Sequence, residues 1–188
     1  MTTIQKGVGR GVFSNEAGLG SAPMAHAASS ESNPVKQGIY GIFEVFADTI
    51  VICTLTALTV LCAVENGVPI VWGQSAGTEL VGAAFATVFG MKIGALIVAV
   101  AISLFALTTI LSWALYGSRC CEYLLGTKAV KLYQILFIAV ILVGATLKME
   151  LVCNIADTLN GFMAFHNLIA LLGLSGVVIK LTKEYFAE

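Results

Sequence analysis

The chain has 188 residues, 58% of them hydrophobic and 11% charged, with a net charge of -1 and a mean hydropathy of +0.92. A soluble domain of this length cannot hide so much apolar surface, so a bilayer must take the remainder. The ten Lys and Arg residues are scattered, which leaves no basic patch and excludes nucleic acid as a partner.

In chain order, Met1 to Arg10 is polar and lacks the apolar run of a signal peptide, so targeting falls to a membrane span. Gly7 to Ser30, GVGRGVFSNEAGLGSAPMAHAASS, is dense in Gly, Ala and Ser. Such backbones approach one another closely, and Arg10, Asn15 and Glu16 offer fixed polar contacts among them. Residues 1–34 are therefore expected to form a cytoplasmic segment packed against helices, with residues 35–188 as the membrane domain.

About 20 residues cross the hydrocarbon at about 1.5 Å each. The first predicted span, residues 35–64, exceeds that and can tilt or project. The outer connection that follows, Glu65 to Met91 with an outer re-entrant element at residues 66–91, holds the breaker-rich ENGVPIVWGQSAG and then TELVGAAFATVFG, too short to span and suited to a re-entrant helix. Thr78 is expected to cap that helix and Glu79 to charge its first turn. The second span covers residues 93–116 and the third residues 130–147. The fourth, residues 151–179, is too long for one straight helix, and a bend or break is expected around Gly161, His166 and Asn167.

Basic residues gather on the cytoplasmic side of membrane proteins. With the N-terminus inside, Lys6, Arg10, Lys36, Arg119, Lys128, Lys131, Lys180 and Lys183 are cytoplasmic, and only Lys92 and Lys148 are outside. Four spans and this orientation support one another.

Polar groups within spans are costly and turn to a partner or a cavity. Thr109, Ser112, Trp113 and Tyr116 share one face of the second span. That face suits the wall of a polar cavity; equally, its hydroxyls can return to the helix's own carbonyls while Trp113 and Tyr116 mark the inner interfacial belt. Glu44 and Asp48, one turn apart beside Thr49, Cys53 and Thr56, suit a proton relay or a cation site, or else water at Glu44 and helix neighbours at Asp48. Asn154, Asp157 and Asn160 form a comparable cluster whose simpler reading is helix packing. Cys53, Cys62, Cys120, Cys121 and Cys153 lack metal-ligand spacing and read as small buried hydrophobes. An intramembrane enzyme would need Asp48 and Asp157, or a Cys/His pair, facing each other across a cavity; no catalytic residue is assigned.

Arg10 to Ala27 reads RGVFSNEAGLGSAPMAHA. This stretch resembles the alanine or glycine:cation (sodium:alanine) symporter family, whose members carry RGxFSNEAGxGSAPxAHA. The likeness continues through QGIYGIFEVFADTIVICTLTAL at Gln37 to Leu58, FALTTILSWALYGSRCCEYLLG at Phe105 to Gly126 and NLIALLGLSGVVIKLTKEYF at Asn167 to Phe186. One departure is AFHN, where the family usually shows a proline in place of His166.

The resemblance implies an all-α membrane protein, with about four transmembrane helices and a re-entrant outer helix, similar to the second half of a five-plus-five inverted-repeat transporter. It implies that the chain starts just after the sixth core helix, so that the first repeat is missing. Substrate and ion in such folds sit at the midplane where broken helices meet. By resemblance, Thr109 and Trp113 line the amino-acid pocket, and the hydroxyls of Thr108 and Thr109 join main-chain carbonyls of the first helix around sodium. Sodium is a hard cation served by oxygen ligands, and a small aliphatic side chain suits an apolar wall such as the Trp113 ring. The implied activity is sodium-coupled symport of alanine or glycine in the plasma membrane, with no organic cofactor and sodium as the coupling ion. The implied partners are the amino acid, sodium, the bilayer and the N-terminal half of the carrier. The alternative is a transport-inactive remnant, or one half of a split carrier.

Overall fold

A computed structural model describes residues 2–16, 18–70 and 77–187, and among these every regular element is helical. Helix α1 spans Thr2–Asn15 and α2 spans Ala22–His26. Between them the backbone turns sharply, with Glu16 at φ +52°, Gly18 at +91° and Gly20 at +83°. Pro34 then opens α3, Pro34–Phe46. Asn33 caps it, accepting the Val35 and Lys36 N–H groups on Oδ1 at 2.9 and 3.2 Å. Proline suits this first position because its missing N–H is one that the helix cannot pair anyway.

The first apolar stretch does not continue as one α-helix. A π-helical segment, Ala47–Ile52, joins α3 to α4, Cys53–Glu65. Gly67, at φ +95°, ends α4 in a Schellman motif: the Val68 N–H reaches the Ala63 carbonyl at 3.1 Å and the Gly67 N–H reaches Val64 at 3.0 Å. Of the breaker-rich outer connection, Val71 to Ala76 lies outside the described residues. Helix α5 spans Thr78–Phe89. Its cap is the extended Gly77, without a side-chain hydrogen bond. Thr78 therefore falls inside the first turn rather than at the cap expected for it, while Glu79 does sit in the first turn.

Helix α6 runs Met91–Leu125 and α7 runs Thr127–Gly144, joined by Gly126 alone at φ +82°. Helix α8, Met149–Ala187, is continuous over 39 residues. The break expected near Gly161 and His166 does not occur. No proline interrupts the hydrogen-bond ladder there, and the His166 ring donates from Nδ1 to the Phe162 carbonyl at 2.7 Å, satisfying itself within the helix.

Four helical stretches are long and apolar enough to cross a membrane: Pro34–Glu65, Met91–Leu125, Thr127–Gly144 and Met149–Ala187. The buried apolar side chains among the described residues are Leu19, Ala63, Ala84 and Tyr116. Apolar helices that bury so little of themselves need lipid or further helices around them. The cysteines follow the same rule. All five are free thiols, but Cys53, Cys62 and Cys120 are exposed rather than buried as expected. In a bilayer, an apolar side chain has no reason to turn inward.

The chain divides into two compact units. One comprises Met1–Val45 with Ser112–Glu188. Within it, α1 packs on α8, and α6 and α7 meet where the Tyr133 phenol fills the notch over Gly117. The other comprises Phe46–Leu111, where α4 packs on α5. There α5 returns closely onto the start of α6: a Cβ on Gly94 would lie 2.7 Å from the Ala86 nitrogen.

Candidate functional site

The residues singled out in the sequence lie along α6. Thr108 and Thr109 are both exposed. The Thr108 hydroxyl donates back into its own helix, to the Leu104 and Phe105 carbonyls at 3.1 and 3.0 Å. With its hydrogen committed there, the oxygen keeps its lone pairs for an outside donor or a cation. One turn further on, Trp113 is half-buried. Its indole meets the Tyr116 ring edge-on, with centroids 6.0 Å apart and planes at 70°.

Tyr116 is 7% exposed. Its phenol faces the Glu16 carboxylate and the Ser112 hydroxyl. Glu16 is held from its other side, because the fully buried Ser21 donates its hydroxyl to Oε2 at 2.8 Å. The Leu19 N–H closes the turn onto the Glu16 carbonyl at 3.1 Å. Gly20 lies against α8 so closely that a Cβ there would stand 2.9 Å from Oδ1 of Asn167.

Further along, the same segment reaches α3. Gln37, Gly41 and Glu44 fall at i, i+4 and i+7 on one helix face, and His26 sits against it. The Gln37 amide nitrogen lies 2.7 Å from His26 Nδ1. His26 Nε2 is 3.7 Å from Glu44 Oε2, and Gly41 leaves room for the ring. Cys120 on α6 touches Met24, sulfur to sulfur, at 3.9 Å. The glycine- and alanine-rich stretch thus packs on α3, α6 and α8, as its density of small residues predicts; the Arg10 side chain lies outside the described residues.

Asp48 lies in the π-helical segment and Asp157 on α8, in different units. Among the described residues no three His, Cys, Asp or Glu side chains gather as a metal-binding group. Sequence reasoning marked Glu16 as a polar contact but did not find its partner. The two are 100 positions apart and share no periodicity; the only signal was a carboxylate inside a run of small residues.

A family model described as the sodium:alanine symporter family matches residues 1–188. The chain belongs to the sodium:alanine symporter family. Sodium/alanine symporter AgcS of Methanococcus maripaludis is 48% identical over 184 residues, covering 98% of this chain and 40% of that protein. An uncharacterized transporter of Haemophilus influenzae is 47% identical over 186 residues, 99% of this chain and 40% of its own length. A Bacillus subtilis protein described as a probable sodium/glutamine symporter, GlnT, is 38% identical over 183 residues, 97% of this chain and 37% of its own. The chain thus spans about 40% of the length of these relatives. Four helices long and apolar enough to cross a membrane accord with membership of a symporter family.

Proposed function

We propose that this chain supplies the second-repeat helices of a sodium-coupled carrier for small neutral amino acids, alanine and glycine, in the plasma membrane. The observation that carries this reading is the 48% identity to a sodium/alanine symporter along 98% of the chain. On this reading α6 contributes Thr109 and Trp113 to the amino-acid pocket, and the oxygens of Thr108 and Thr109 to the sodium site. Helices from the remaining 60% or so of a carrier complete both. Sodium and amino acid bind where the same helices meet, so each ligand raises the other's affinity by the same factor. The inward sodium gradient then drives uptake.

The test grafts this chain in place of the matching C-terminal part of the Methanococcus maripaludis symporter and follows alanine uptake into proteoliposomes. The graft should take up alanine with sodium inside-directed. Thr109→Val keeps the β-branched shape and removes the hydroxyl, so it should abolish sodium-dependent uptake while leaving membrane insertion intact. Trp113→Ala should weaken alanine and favour bulkier neutral side chains, by about tenfold or more for each methylene-sized change. Unchanged sodium dependence in Thr109→Val would remove the coordination role.

A further inference from the structure

The turn at Glu16 to Ser21 is built in an unexpected way. Three of its described residues take positive φ, and glycine serves at two of them, Gly18 and Gly20. The third is Glu16 at φ +52°, the one non-glycine residue among those described that adopts this region. A side chain here is strained, and glycine would relieve the strain. Strain of this kind persists where the surroundings hold it and the side chain has a use.

The use is visible in what the carboxylate touches. Ser21, with no exposed surface, fixes one oxygen at 2.8 Å. The phenol of Tyr116 faces the same carboxylate, with Ser112 beside it and Glu44 as the next charge, itself 3.7 Å from His26. Tyr116 is nearly sealed from solvent and lies edge-on against Trp113 at 6.0 Å. Both ends of the tyrosine are thus engaged, the hydroxyl by Glu16 and the ring edge by the indole. Edge-to-face pairs have a preferred geometry, so a fixed phenyl ring fixes the ring it packs against.

We infer that Glu16 and Tyr116 are positioning residues for the Trp113 indole, and that through it they set the size of side chain the carrier accepts. This rests on the proposed role of Trp113 as a wall of the amino-acid pocket. The motif turn becomes part of the specificity apparatus without touching substrate: Ser21 holds Glu16, Glu16 holds Tyr116, and Tyr116 holds the wall.

The experiment has two arms. In the first, the 188-residue chain is placed in lipid nanodiscs with Trp72→Phe, which leaves Trp113 as the sole tryptophan, the chain having two. Trp113 fluorescence anisotropy and collisional quenching are then measured, with helix content checked by circular dichroism. Tyr116→Phe keeps the ring and removes the hydroxyl, and Glu16→Ala removes its partner. Both should loosen the indole, lowering anisotropy and raising quenching. Glu16→Gln retains an oxygen acceptor for both Ser21 and Tyr116, and should stay near the parent value. In the second arm the same variants are placed in the grafted symporter. Tyr116→Phe and Glu16→Ala should raise the KM for alanine by roughly three- to tenfold, the range expected for one lost hydrogen bond. Vmax should change little, and preference should move toward larger side chains, with Glu16→Gln again close to the parent. Parent-like Trp113 fluorescence in both Tyr116→Phe and Glu16→Ala overturns the inference whatever transport shows. If instead the indole loosens but neither these variants nor Trp113→Ala alters selectivity, the wall reading of Trp113 has failed and the specificity role falls with it. Should Glu16→Ala fail to fold, Tyr116→Phe against Glu16→Gln decides the matter.

Discussion

At the scale of single residues, the motif turn combines two separable costs at Gly20. Its φ of +83° favours glycine, and its missing Cβ leaves room for Asn167, whose Oδ1 would lie 2.9 Å from one. Gly20→Ala should lower the thermal unfolding midpoint in nanodiscs through both effects. Introduced with Asn167→Ala, it should recover the steric part and keep only the conformational part, about 1–2 kcal/mol. Complete recovery in the double variant would mean that the backbone relaxes out of this region. A second residue, Glu31, lies outside the spans and responds to acid. Lys36, 2.7 Å away, and the Asn33 N–H at 3.1 Å hold its carboxyl below the ordinary value of 4.5. Because the folded value is depressed, whatever Glu31 contributes is present above the ordinary value and is lost as the pH falls through the lowered one. The Asn33 amide resonance at the start of α3 should therefore titrate with a midpoint below the ordinary 4.5, and Glu31→Gln should abolish that titration.

At the scale of elements, two glycines mark where helices approach most closely, and they should respond differently to repair. At Gly117 the obstacle to a Cβ is the Tyr133 side chain, whereas at Gly94 it is the backbone of Phe85 and Ala86. Gly117→Ala should destabilise the α6–α7 pair, and Tyr133→Ala in the same chain should return most of the loss. Each single change is expected to cost about 1–3 kcal/mol, with a clearly less than additive double. Gly94→Ala should have no such partner, because no side-chain deletion clears a backbone atom. Thermal unfolding of the four variants in nanodiscs checks this, and additivity at Gly117 and Tyr133 would mean that their contact is not formed. The four long helices and the short α5 were legible because apolar stretches are local signals, whereas α1 and α2 were not read as helices. The π-helical segment at Ala47–Ile52 left no signal of that kind, nor did the continuity of α8 through Gly161 and His166. An apolar helix surrounded by lipid also has no polar face to report its orientation. Cysteine burial was misread for this reason: in a bilayer, hydrophobicity and inward orientation are no longer the same property.

At the scale of the whole molecule, the sequence carries its clearest long-range information in charge. Eight of the ten basic residues fall on one side if the four long helices cross and α5 does not. Helix α5 has 12 residues, about 18 Å of rise, against a hydrocarbon core of about 30 Å. The prediction can be read with a membrane-impermeant maleimide on single cysteines introduced into a variant lacking the five native ones. Asn66→Cys and Thr146→Cys should label in intact cells. Ser30→Cys, Thr127→Cys and Lys183→Cys should label only after permeabilisation; all five positions are exposed. A crossing by α5 would leave Ser30 and Asn66 as stated but reverse Thr127, Thr146 and Lys183. It would also move Arg119, Lys128, Lys131, Lys180 and Lys183 outward, against the charge rule. Reversal at those three positions alone therefore identifies α5 as a span, whereas inversion of all five keeps the four-span fold and turns only its orientation.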